Sequence, residues 1–245
     1  MNNFKFTTIA NAKKEIGISY LGNHEISAKI AKNLKVNNQL TYALYLSPSN
    51  ISGYDVCKFA TPECKLGCLA TSGHAGMEII SGRNVINNAR NKKTQLFFEN
   101  NEYFMQWLIA DIKANENLAK KKGYGFSVRL NCTSDIDWQN TLYLGMNIFE
   151  YFPNVNFYDY TKNPNKFINK PSNYHLTFSY TGKNWGICAM LLERGFNIAM
   201  IFNVKKESEL PTKFEGYNVI NGDLTDYRIN CYCWLKMETY CQQRS

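Results

Sequence analysis

Two patterns take turns along the chain from residue 41 onward. Short runs rich in β-branched and aromatic residues, the mark of strands, fall at 41–46, 125–130, 155–160, 174–178, 197–202 and 217–220. Between them, apolar residues recur at helical spacing and predict helices over 82–98, 102–119, 138–152 and 184–194. Val85, Ile86, Ala89, Leu96 and Phe97 carry the first of these; Leu142, Met146 and Phe149 carry the third. The fourth stops at Gly195, and Gly123 after a lysine run closes the second. Residues 1–40 are polar and mixed, with one short helix over 26–34, and 231–237 reads as a last strand. No segment repeats, and no apolar run is long enough to span a bilayer.

Strand-then-helix order predicts a parallel sheet with right-handed crossovers. About six such units fit either an open doubly wound sheet or a partial barrel. The polar residues favour the barrel, because strand after strand ends in them: Asn131 to Asp135, Asp159 to Lys162, Ser179 to Thr181, Asn203, and Asn221 to Asp223. In a parallel barrel these ends meet on one rim, where such folds keep their chemistry. The expected fold is therefore α/β, a partial (β/α)6-like parallel barrel in a single domain over 41–245, with 1–40 as an N-terminal extension packed on it.

Composition narrows the partners more than the fold. The 245 residues are 44% hydrophobic, ordinary for a globular chain, and carry a formal charge of +8. That charge favours an anionic partner, a small molecule or a nucleic acid, although a plain basic surface produces it equally well. The first residues hold no long apolar core of the kind a secretory signal needs, so a cytoplasmic, reducing setting is expected. Clustered cysteines in that setting read as metal ligands before disulfides.

The chain has eight cysteines, and three of them crowd one loop after the first strong strand: Cys57, Cys64 and Cys68, spaced C-x6-C-x3-C. Thiolates are soft ligands suited to zinc or to iron–sulfur clusters. Three of them can hold three irons of a 4Fe-4S cluster and leave the fourth iron open. Zinc with His74 as fourth ligand is the competing arrangement, and three unrelated buried thiols the plain one. Cys231 and Cys233, two apart, and Cys241 could form a further metal pair or simply pack in a strand. Cys132 and Cys188 read as core residues.

The charged strand ends supply the remaining candidates. Asp135, Asp159 and Lys162 are the residues expected to act on a substrate, as proton donors and acceptors. Arg129, Asn131 and Asp223 are expected to bind it, with Arg129 suited to a phosphate or carboxylate. Singly, each is explained equally well by a surface ion pair. Strict alternation turns Asp159 and Lys162 to opposite faces, so at most one of them faces a barrel interior. Basic clusters at Arg83, Arg90, Lys92 and Lys93, at 120–122 and at 205–206 could track a phosphate backbone or be solvated helix faces. The chain carries no phosphate-cradling P-loop, no G-x-G-x-x-G and no G-x-S-x-G elbow.

Several blocks together resemble a largely phage-encoded family known as gene-product-88-like. They are Leu44-Tyr-Leu-Ser-Pro48, Ser52-Gly-Tyr-Asp-Val-Cys57, the stretch from Cys64 to Gly73, Arg129-Leu-Asn-Cys-Thr-Ser-Asp135, Phe157-Tyr-Asp-Tyr-Thr-Lys162, Asn173-Tyr-His-Leu-Thr-Phe-Ser179 and Gly222-Asp223. The resemblance implies a phage-type protein working in the cytoplasm of an infected bacterial host, without implying a reaction. More distantly, a strand, a three-cysteine loop and a helix within a partial barrel are similar to radical S-adenosylmethionine enzymes. That likeness implies a 4Fe-4S cluster, S-adenosylmethionine as cofactor, and a nucleotide or nucleic-acid substrate. The cysteine spacing is wider than that superfamily's usual C-x3-C-x2-C. The alternative function is a zinc-stabilised nucleic-acid-binding module without catalysis.

Overall fold

The structure is a computed structural model that describes residues 5–24, 27–68, 84–204, 209–222, 224–227, 229 and 235–239. The chain enters through helix α1 (Ile9–Ile16), which starts at the Thr8 cap and ends at Gly17, φ 67°. A two-residue strand β1 (Gly22–Asn23) leads to α2 (Ala28–Asn37), capped by Ser27. Asn38, also left-handed, turns α2 directly into β2 (Gln39–Leu44). The cysteine loop follows and contains a single turn of helix, α3 (Pro62–Leu66). Helices α4 (Val85–Glu99) and α5 (Asn101–Lys122) meet at Asn100, whose side chain caps α5, and Gly123 releases the chain into β3 (Gly125–Arg129).

The helix expected over 138–152 does not form. In its place β4 (Leu142–Tyr143) and β5 (Met146–Asn147) make a hairpin, and only one helical turn follows, α6 (Ile148–Tyr151). Leu144 and Gly145 at the hairpin tip both have positive φ, 48° and 82°. That pair of left-handed residues makes a tight hairpin turn and cannot continue a helix. Asn147 then starts α6 through a capping box with Glu150. The apolar residues at 142, 144 and 146 also match a period of two, and all three are exposed.

The remaining elements run β6 (Asn156–Thr161), β7 (Tyr174–Ser179), α7 (Trp185–Glu193), β8 (Asn197–Phe202), β9 (Lys213–Phe214), β10 (Tyr217–Asn221) and β11 (Leu235–Thr239). β11 overlaps the last expected strand at 235–237; residues 231–234, with Cys231 and Cys233, and also Cys241 and 205–206, lie outside the described residues. The strands form one mostly parallel sheet in the order β1-β2-β3-β6-β7-β8-β11-β10-β9, with a separate β4-β5 hairpin. β1 and β9 flank it as antiparallel edges. The sheet is open, so the closed ring of a barrel is not present. The first forty residues contribute to this same sheet through β1 and the start of β2.

From β2 to β8 the strands take their places in sequence order without reversal. Right-handed crossovers that keep stepping the same way stay on one face. The core reflects this: Phe97, Phe104, Trp107 and Leu108 of α4 and α5, with Cys188 and Leu191 of α7, share one buried cluster with Tyr42, Val128, Phe157, Tyr174 and Phe178 of the strands. Register sets those strand residues side by side: Tyr42 with Val128, Val128 with Phe157, Phe157 with Tyr174. Alternation sends the intervening residues to the other face. There Thr41 lies beside Ser127, Ala43 beside Arg129, Tyr158 beside His175, Tyr160 beside Thr177, and Thr177 beside Asn197. One face is a hydrophobic core and the other is largely polar.

Close packing at the β1 edge depends on a missing side chain. A methyl at Gly22 would overlap the ring of Tyr42, which is fully buried and bonded through its hydroxyl to Asp111 at 3.2 Å. Gly22→Ala is expected to destabilise the fold by about 1–3 kcal/mol, read as a lower urea midpoint with an unchanged slope. An unchanged midpoint would show that Tyr42 repacks freely.

Candidate functional site

The cysteine loop leaves the C-terminal end of β2 and is tied back to the sheet by the backbone. Val56 N–H donates to Ser49 O at 3.0 Å, and Asp135 N–H, from the loop after β3, donates to Val56 O at 2.8 Å. Cys57 N–H donates to the Asp55 carboxylate at 2.8 Å. Thr61 caps the turn that carries Cys64, Pro62 fills its first position, and Gly67 ends it one residue before Cys68. Cys64 and Cys68 stand four residues apart, about one helical turn. All three thiols are half-buried and none is in a disulfide. Burial pushes the Cys57 thiol up to about 11 against a hydrogen bond with Ser49, and the charges of Asp135, Cys68 and Cys64 add to the rise. Cys64 and Cys68 are thus within electrostatic reach of Cys57. Among the described residues, no three His, Cys, Asp or Glu side chains converge on a single metal ion, whereas an iron–sulfur cluster takes its thiolates on separate irons. His74 lies outside the described residues.

Beside the loop, at the ends of β2 and β3, Tyr45, Arg90 and Cys132 gather. The Arg90 guanidinium lies 5.5 Å from the Tyr45 ring centre. Burial lowers its pKa, while Tyr45, Cys68, Cys132 and Tyr20 act to keep it charged. Burial also pushes the Cys132 thiol up to about 12, against the Arg129 charge. This chain of interactions links the cysteine loop to the polar face of the sheet.

On that face Arg129 is the central charge. Its Nη1 donates to both oxygens of Asp226, at 2.9 and 2.7 Å, and its guanidinium stacks 4.9 Å from the Tyr160 ring centre. Burial is the largest single influence and works against its charge, but Asp226, Cys132, Tyr158 and Tyr160 together hold its pKa above the ordinary value. Tyr158 donates its hydroxyl to Asp226 at 3.0 Å. Asn33 of α2 donates to Tyr158 Oη and Thr41 Oγ1 and accepts from Asp226 N–H, at 2.9, 3.0 and 3.0 Å. A helix before the sheet, three strands and a segment near the C-terminus therefore meet in one buried network.

The other expected site residues divide away from this face. Asp159 lies on the helix-packed side, because it alternates with Tyr158 and Tyr160. It is buried, accepting from Asn131 N–H at 2.7 Å and Tyr174 Oη at 3.0 Å. Asn131 braces the loop after β3: its side-chain oxygen accepts from Ser134 Oγ, Ile136 N–H and Trp138 Nε1, at 2.9, 3.0 and 3.1 Å. Asp135 accepts from Thr161 Oγ1, Lys162 N–H and Lys166 Nζ. Lys166, buried, also donates to the carbonyls of Asp135 and Ile136. These contacts hold loops together, and Asn131, Asp135 and Asp159 all take part in them. Lys162 is half-buried just past β6, and Asp223 lies outside the described residues. Asp226, Tyr158, Asn33 and Lys166 are the residues that sequence reasoning missed. Their one advance signal is polarity at positions that alternation and helical spacing assign to an interior.

Together these features define an α/β protein with a mostly parallel open sheet and a cysteine-bearing loop at the carboxyl ends of its strands. The sequence profile of the gene product 88 family matches residues 11–243. The chain belongs to the gene product 88 family. No curated protein and no solved structure matches it, and the likeness to radical S-adenosylmethionine enzymes finds no support there.

Two outcomes follow. Asp226→Asn removes the counter-charge of a buried guanidinium and is expected to cost about 3–5 kcal/mol in urea unfolding; a loss below about 1 kcal/mol would mean that Arg129 finds other partners. Burial raises the Asp159 carboxyl to about 7. The folded protein then holds a proton that the unfolded chain releases near pH 4, so this group's contribution to stability is full below that pH and is lost as pH rises to about 7. Stability measured from pH 4.5 to 7.5 should carry that falling component, and Asp159→Asn should remove it. A variant with the parent's pH profile would refute the assignment.

Proposed function

We propose that this chain is a metal-centre enzyme whose Cys57, Cys64 and Cys68 hold an iron–sulfur cluster beside an anion-binding polar face. The observation that carries the reading is the set of three thiols, in electrostatic reach of Cys57, on the loop after β2 at the carboxyl edge of a parallel sheet. Ligands in α/β folds gather at that edge. The donor chemistry suits a cluster: three soft sulfurs, none in a disulfide. When bound, such a cluster supplies one-electron chemistry. The chain's own residues do the rest. Arg129, fixed by Asp226 and stacked on Tyr160, presents a charge that neither turns nor loses its proton. Tyr45 and Cys132 both feel that charge.

The unreversed strand order, with crossover helices on one face, supports a sheet that rolls part of the way toward a barrel with its polar face inward. A nucleotide or other anionic metabolite is the substrate class that the net charge and Arg129 favour.

Protein purified without oxygen is expected to be brown and to contain iron and acid-labile sulfide in near-equal amounts. Cys57→Ser, Cys64→Ser and Cys68→Ser should each remove most of both. Colourless protein carrying only zinc, or no metal at all, refutes the cluster. Zinc lost on His74→Ala would point instead to a zinc-stapled loop.

A further inference from the structure

Among the described residues, two cations on helix α4, half-buried Arg90 and buried Lys93, meet no anion. Arg90 has Nε and Nη1 shielded from solvent and unpartnered. Lys93, three residues on, is 3% exposed and places its ammonium 4.3 Å from the Tyr20 ring centre. Residues at that spacing share one side of a helix. Lys93 has no hydrogen bond or ion pair among the described residues. The carboxylate that acts on it, Asp111, already accepts from Tyr42 Oη at 3.2 Å, and its own pKa is raised by burial.

Ring faces do not replace a counter-ion. A cation–π contact contributes about 0.5–2 kcal/mol, whereas desolvating a charge costs several. Arg90 cannot escape by losing its proton. Lys93 shows the strain of the arrangement: burial and the Arg90 charge push its ammonium down to about 7. Two unpaired positive groups side by side call for a ligand that brings two negative charges. A carboxylate brings one; a phosphate monoester brings close to two at neutral pH.

We propose that Arg90 and Lys93 form a binding site for a phosphate group. Tyr45 and Tyr20 cover the two cations with their rings and leave the guanidinium nitrogens as donors. Arg90 also feels Cys68 and Cys132, so the site adjoins the cysteine loop. The inference stands whether or not that loop holds a metal.

The test is calorimetric titration and thermal unfolding of the full chain with inorganic phosphate at constant ionic strength. Phosphate is expected to bind and to raise Tm progressively with concentration. Arg90→Gln and Lys93→Met should each weaken binding tenfold or more. Arg90→Lys, which keeps the charge but loses the planar fork, should fall between them and the parent. Without phosphate, Lys93→Met should be at least as stable as the parent, because it removes an unpaired charge. Tighter binding of a sugar phosphate than of inorganic phosphate, through the same residues, assigns the group to a small molecule; equal binding assigns it to the free ion. Absence of any phosphate effect on the parent Tm, or variants that bind as the parent does, overturns the proposal. Iron and zinc measured in the same samples separate this outcome from the fate of the metal centre.

Discussion

A β-strand that turns one side chain into a hydrophobic core turns the next one away from it. In this sheet the crossover helices all pack on one side, so the alternation is not absorbed by a second apolar layer. A doubly wound sheet covers both faces with helices and writes its strands as continuous apolar runs. Here Tyr42, Val128, Phe157 and Phe178 alternate with Thr41, Ser127, Tyr158 and Thr177. That one constraint produces the polar face and sets Arg129 on it and Asp159 on the side of the core.

Polar groups on a half-covered face must satisfy one another or meet solvent. Near β2, β3 and β6 they satisfy one another. Asn33, Thr41, Ser127, Tyr158, Arg129 and Asp226 exchange hydrogen bonds across segments nearly two hundred residues apart, and Asp226, from the far end of the chain, is the ion-pair partner of Arg129. On α4 the balance is different. Lys93 is buried and Arg90 is half-buried with two shielded nitrogens, and among the described residues neither meets an anion. The contrast separates a network that holds the fold together from a pair of charges kept at a cost to stability. Such a cost is expected where a protein binds something.

Much of the fold was legible because its signals are local. Strands at 125–129, 156–161, 174–179 and 197–202 carry the aromatic and β-branched residues that name them, and α4, α5 and α7 carry apolar stripes closed by Gly123 and Gly195. The hairpin at 142–147 was misread because Leu142, Leu144 and Met146 fit two periods, and the left-handed Leu144 is not a residue that announces a turn. The places of the cysteine loop, after β2, and of Arg129, at the end of β3, were legible from the strand pattern. The contacts of Asp159 and Asn131 were not. A polar residue at a strand end looks the same whether it faces a substrate or braces a loop, and only the register of β6 against β7 decides. Asp226 lay beyond sequence reasoning altogether, since its importance comes from a contact that no local pattern encodes.

The central claim is that Cys57, Cys64 and Cys68 share one metal centre at the carboxyl edge of this sheet. X-ray absorption at the iron edge, on protein isolated without oxygen, tests it most directly. The account predicts iron surrounded by sulfur with further iron in the next shell, and loss of that signature when any one of the three cysteines is replaced. Iron bound only by nitrogen and oxygen, or a signature that survives replacement of all three cysteines, would contradict it.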